Sequence, residues 1–171
     1  MKVLRAHDYD HVARVKRELS LVPAHWLDEV KNVSWIVYPD ELSPLYTGLL
    51  GEVFGGDTKT FDGRWWSQVE AWCSFDPITI FTKPGVAEWA VLHEIGHALH
   101  DIWRVPLGHF FKPKKAFYEY MAANPEEYFA VAFAAFLHPQ GQDEVWNSGH
   151  LAERDPDLFS YLKWRSNELP R

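Results

Sequence analysis

One cysteine, Cys73, stands alone among 171 residues, so no intramolecular disulfide forms and the fold is held by packing or by a metal. Basic residues are in deficit. With 17 Lys and Arg against 24 Asp and Glu, the formal charge is −7, opposite to the electrostatic footprint of a nucleic-acid binder. Long apolar runs are missing too: the longest, Tyr128 to Leu137, has ten residues, well short of the roughly 20 that span a bilayer. The opening Met1-Lys2-Val3-Leu4-Arg5-Ala6-His7-Asp8 turns charged before a secretory apolar core accumulates, so no signal peptide is expected. The expected location is then cytoplasmic, virion-associated or outside the cell by a non-classical route. No Gly/Ser linker and no internal repeat divides the chain, and a single soluble domain over residues 1–171 is expected.

What is abundant is core material. Hydrophobic residues make up 47% of the chain and aromatics 16%, including 9 Trp, which is far from the composition of disordered sequences. Asp8 or Asp10 is placed to cap a helix running to about Leu21, and Pro23 opens a short second helix through Val30. Val33 to Tyr38 is β-rich and stops at Pro39-Asp40. Residues 42–74 are hard to read, with a weak hairpin signal at Asp62-Gly63 between 58–61 and 64–67. Pro77 to Lys83 reads as a strand that feeds a helix from about Val86 to Trp103, stopped by Pro106 and Gly108. Lys114 to Met121 is helical or turn-like. Asn124-Pro125-Glu126-Glu127 then starts a helix to Leu137, and Asp155-Pro156-Asp157 starts a last one to about Glu168. Strands followed by helices give an α+β class.

Within the 86–103 helix, His93-Glu94-Ile95-Gly96-His97 matches H-E-x-x-H, a helix-borne zinc site whose Glu acts as general base. With 9 His and 13 Glu, random placement yields about 0.04 such matches in the chain. The helix sets the two histidines about 40° apart around its axis and about 6 Å along it, so both imidazoles reach one ion. Val91, Ile95, Ala98, Leu99 and Ile102 form the opposite, core-facing stripe, which aims the histidines toward a cleft or solvent with Glu94 on their flank.

A catalytic zinc takes three protein ligands and a water. His100 lies about 10.5 Å along the axis from His93, too far to share the ion, and is expected at the rim. Trp103 occupies the position of the third metzincin histidine, which excludes that class. A glutamate on a second helix remains, and Glu127 heads an apolar helix where an unpaired carboxylate is costly. Two alternatives stay open: Glu127 closes a capping box with Asn124, or Glu126 is the ligand.

Taken together, His93-Glu94-Ile95-Gly96-His97-Ala98 and Asn124-Pro125-Glu126-Glu127-Tyr128-Phe129-Ala130-Val131-Ala132-Phe133 resemble the paired signature of the anthrax lethal factor catalytic domain and the related Pro-Pro endopeptidases, over about residues 77–137. The resemblance implies a minimal zincin-like α+β domain, a small sheet packed on the H-E-x-x-H helix with a second helix carrying the glutamate. It implies a zinc metallopeptidase with Zn²⁺ on His93, His97 and Glu127, Glu94 as general base, and Tyr120, seven residues before Glu127, donating to the oxyanion. The partner is a peptide or protein substrate, with no nucleic acid. Where lethal factor has a second acidic residue, this chain has Val131, so any carboxylate orienting a histidine comes from elsewhere, such as Asp101 or Glu119.

The 77–83 strand either offers an edge to an extended substrate or is a plain structural strand, and Trp65, Trp66, Trp72 and Phe75 are candidate pocket aromatics or core. Two competing readings remain. A peptide deformylase would use Cys73 as third ligand, although its surrounding residues do not match that family. A structural or adaptor protein would keep zinc only as a clip.

Overall fold

The computed structural model describes residues 2–4, 9–30, 34–37, 69, 71–75, 78–82, 88–138 and 147–167. The strands are β1 (Lys2–Leu4), β2 (Ser34–Val37), β3 (Ala71–Phe75) and β4 (Ile78–Thr82). The helices are α1 (Tyr9–Leu19), α2 (Ala24–Glu29), α3 (Glu88–Ile102), α4 (Leu107–Phe110), α5 (Pro125–Leu137), α6 (Ser148–Arg154) and α7 (Pro156–Asn167). A 3₁₀ turn, Pro113–Lys115, follows α4.

The expectation of a zincin-like α+β domain built on a sheet is corrected: the described chain is helix-dominated. The physical reason lies in segment length and apolar coverage. The β-rich stretches form strands of only three to five residues, whereas α3 and α5 are long and apolar enough to bury each other, and α3 packs most extensively on α5. The short strands pair in the order β1-β2-β4-β3, with β1, β2 and β4 parallel and β3 antiparallel to β4.

That order also overturns the substrate edge as a reading of 77–83. β4 is hydrogen-bonded on both sides, by β2 and by β3, and among the described residues β3 is the outermost strand on that flank. The possible hairpin at 58–67, with Trp65 and Trp66, lies outside the described residues, as does Asp8. Asp10 falls inside α1 and is not its cap. β1, β3 and α6 were not anticipated from the sequence, and Pro106 precedes a one-turn helix where a plain stop was expected.

The core is one cluster in which α5 is buried from Glu127 to Ala135. Asn124 accepts a hydrogen bond from the Glu127 amide at 2.8 Å, a cap that contributes about 1 kcal/mol. Just past the end of α3, Arg104 with a φ of 50° and the bonds Val105 N–H to His100 O and Arg104 N–H to Asp101 O form a Schellman turn. Trp26, fully buried, donates its Nε1–H to the carbonyl of Arg165 and packs on Trp103 and Phe133. That contact ties α2 to the end of α7 and closes the core around α3 and α5.

Candidate metal centre

α3 carries His93 and His97 one turn apart, and α5 brings Glu127 to them from its first turn. His93 Nε2 lies 3.1 Å from His97 Nε2 and 3.1 Å from Glu127 Oε2, and His97 Nε2 lies 3.5 Å from the same oxygen. Among the described residues these three side chains form a group able to hold a metal ion. Donors at 2.0–2.1 Å from one tetrahedral ion stand about 3.3 Å apart, so the spacings fit such an ion. Without one, the contact between two imidazole nitrogens and a carboxylate needs added protons; with one, all three lone pairs have a partner.

Close helix approach makes this triangle. Gly96, between the histidines, faces Ala130, one turn beyond Glu127, and a Cβ there would lie 2.9 Å from the Ala130 Cα. Only hydrogen at position 96 allows the two axes this near.

Burial changes the expected setting. His93, Glu94, His97 and Glu127 are 4%, 5%, 8% and 6% exposed, so of the cleft or solvent anticipated for the histidines, open solvent does not hold. α5 and the tyrosine segment lie over the polar face of α3 and convert it into an interior site. The His97 side chain keeps 11% exposure. His100, expected at the rim, is also buried, edge-on to His97 at 5.7 Å and to Phe129 at 6.2 Å. Burial, and then the neighbouring His97, lower its pKa from 6.5 to about 4.

The sign of this shift sets a pH dependence. In the unfolded chain His100 takes a proton near pH 6.5 that the folded state refuses, so folding stability falls as pH drops from about 6.5 toward 4. The expected outcome for His100→Phe in the metal-free protein is a flatter urea midpoint across that range, measured against wild type.

Of the alternatives the sequence left for Glu127, the described hydrogen bonds show the Asn124 half of a capping box and not the return bond to the Glu127 carboxylate. Its backbone amide is capped by Asn124, while its carboxylate lies on the histidines. Burial raises its pKa, but hydrogen bonds and charge from His93 and His97 outweigh that and hold it well below the usual carboxylate range. Glu126 is exposed and is not in the group. Asp101 and Glu119, considered as partners of the histidines, are both exposed. His93 Nδ1 has no hydrogen-bond partner among the described residues.

Tyr120 is half-buried with its ring centroid 6.1 Å from that of His93, and it stacks on Tyr118 at 6.4 Å. Tyr118 and Trp89 were missed by sequence reasoning. Trp89 lies edge-on to His93 at 5.7 Å, and its position four residues earlier on α3 was the available signal. Burial, and then the charge of Glu127, push the Tyr118 phenol above its ordinary pKa, which keeps its O–H at neutral pH. Cys73 stands outside the donor group. Burial, and then the charges of Glu94 and Asp101, raise its pKa.

No helix among the described residues is long and apolar enough to cross a membrane. No family model and no curated protein matches the chain. Among solved structures, the Pro-Pro endopeptidase PPEP-2 from Paenibacillus alvei is 20% identical to this chain, covers 94% of it and 94% of its own length, and superposes with a TM-score of 0.65, a likeness that shows a shared fold.

Proposed function

We propose that the chain is a zinc-dependent metallopeptidase in which His93, His97 and Glu127 hold the ion, Glu94 moves the proton and Tyr120 meets the developing oxyanion. The observation carrying this reading is the convergence of two Nε2 atoms and one carboxylate oxygen from two helices, spaced 3.1 to 3.5 Å apart. The shared fold with a Pro-Pro endopeptidase supports it.

Zinc bound there supplies Lewis acidity, polarising a carbonyl and lowering the pKa of water from 15.7 toward about 7. Glu94 follows His93 on α3, about 60° around the helix from His97, on the flank of the donor group. From there its carboxylate accepts a proton from the attacking water and returns it to the departing amine as the peptide bond breaks. Tyr120, beside His93, donates a hydrogen bond to the oxygen that becomes negative in the tetrahedral adduct. Burial of the site strengthens both interactions by lowering the local dielectric. An extended substrate pairing through its backbone meets β3, the outer strand among the described residues, and not β4.

One observation favours a second reading, a structural or adaptor protein with zinc as a clip: His93 is only 4% exposed. A metal-removal experiment separates the two. Wild type is incubated with a peptide library that includes Pro-Pro bonds, then with a chelator, then with one equivalent of zinc. The metallopeptidase is expected to cleave, stop and resume. A clip would show a lower Tm after chelation and no cleavage in any state.

A further inference from the structure

Resting on the metallopeptidase reading, we infer that Asp155 is a positioning residue: it locks the helix that carries Glu127 and the segment that carries Tyr118 and Tyr120 into one unit. Asp155 sits at the junction of α6 and α7, remote in sequence from every residue of the metal centre, and is only 1% exposed. A buried carboxylate must be fully partnered, and the choice of partners here is informative. Oδ2 accepts from the Tyr128 hydroxyl at 2.8 Å. Oδ1 accepts from Lys112 Nζ at 3.2 Å and from the Leu158 amide at 3.3 Å, with Lys115 Nζ at 3.9 Å.

Tyr128 follows Glu127 on α5 and is itself 1% exposed, packed edge-on against Phe111 at 5.8 Å. Lys112 and Lys115 form the root of the segment that runs on to Tyr118 and Tyr120. Arg154, the neighbour of Asp155, holds the next residues: its Nη1 donates to the Ala116 carbonyl at 2.9 Å, and its guanidinium lies 5.5 Å from the Phe117 ring centroid. One carboxylate and its neighbour thus reach both arms that close over α3, with Asp157 Oδ2 sharing Lys112 Nζ at 2.6 Å. A helix cap explains the bond to Leu158 alone; it does not explain the bonds to Tyr128 and Lys112.

The test compares wild type, Asp155→Asn, Tyr128→Phe and Arg154→Ala by zinc affinity and by amide hydrogen exchange. The local reporters are the Ala122 amide, bonded to the Glu119 carbonyl, and the Ala123 amide, bonded to the Tyr120 carbonyl. Asp155→Asn is expected to weaken zinc roughly ten-fold, the scale of lost outer partners, and to speed exchange at Ala122 and Ala123 while Ile95 and Leu99 in α3 keep wild-type protection. Arg154→Ala is expected to release Ala122 and Ala123 with less effect on zinc. At saturating zinc, Asp155→Asn is expected to lower kcat without raising KM, and to cost nothing further in a Tyr120→Phe background.

Unchanged zinc affinity and unchanged local exchange in Asp155→Asn would overturn the inference. So would faster exchange throughout the protein in step with lost stability, or additive losses with Tyr120→Phe. If Asp155→Asn fails to fold, Tyr128→Phe, which removes one hydroxyl, decides on the same readouts. Should wild type cleave no peptide, the hydrolase reading fails, while zinc affinity and exchange still judge the role of Asp155.

Discussion

Glu94→Gln is expected to keep one zinc per chain and to lose peptide hydrolysis by about 10²- to 10⁴-fold, the usual contribution of a positioned acid–base group. The substitution is nearly isosteric, so the 5% exposed site is refilled without a cavity. What changes is proton affinity: an amide oxygen cannot take the proton that leaves the attacking water. The measurement is zinc stoichiometry beside kcat/KM on a cleaved library peptide. Retained hydrolysis with zinc bound would remove Glu94 from the mechanism.

Gly96→Ala is the second large effect, and it acts through geometry. The new Cβ lies 2.9 Å from the Ala130 Cα and 3.2 Å from the Phe133 Cβ. The first neighbour is backbone, so relief requires α3 and α5 to move apart, at a cost of about 1–3 kcal/mol. Glu127 stands one turn before Ala130, and His93 and His97 flank Gly96. The displacement therefore lengthens the 3.1 and 3.5 Å edges of the donor triangle that join His93 and His97 on α3 to Glu127 on α5. Lower Tm is expected together with weaker zinc binding. Gly108→Ala serves as the contrast, since nothing lies within 4 Å of a Cβ there and α4 accepts alanine readily. Wild-type zinc affinity in Gly96→Ala would mean that helix approach does not set the site.

The parts of this architecture that were legible are those set by local periodicity. The four-residue spacing of His93 and His97, the Asn124 cap and the apolar run after Glu127 each follow from one stretch of chain, and the structure brings those side chains together. What was not legible depends on distant partners. β4 is enclosed because β2, distant in sequence, pairs on one side and β3, the strand just before it, pairs on the other, and no pattern in 77–83 alone announces two neighbours. The histidine face is polar by periodicity yet buried, because α5 and the tyrosine segment close over it. Asp155 reads locally as a helix cap, and its bonds to Tyr128 and Lys112 span 27 and 43 residues. The α+β expectation failed for a related reason: β-rich words were visible, but strand length depends on pairing, and the helices outgrew the strands.

The claim on which the account rests is that two imidazoles and the carboxylate of residue 127 share one ion. X-ray absorption at the zinc edge, on wild type and on Glu127→Ala, tests it directly. The account predicts one zinc per wild-type chain, with nitrogen and oxygen scatterers at about 2.0–2.2 Å, and loss of an oxygen scatterer with much weaker binding in the variant. A sulfur shell at about 2.3 Å, or a zinc environment and affinity unchanged by Glu127→Ala, would contradict it.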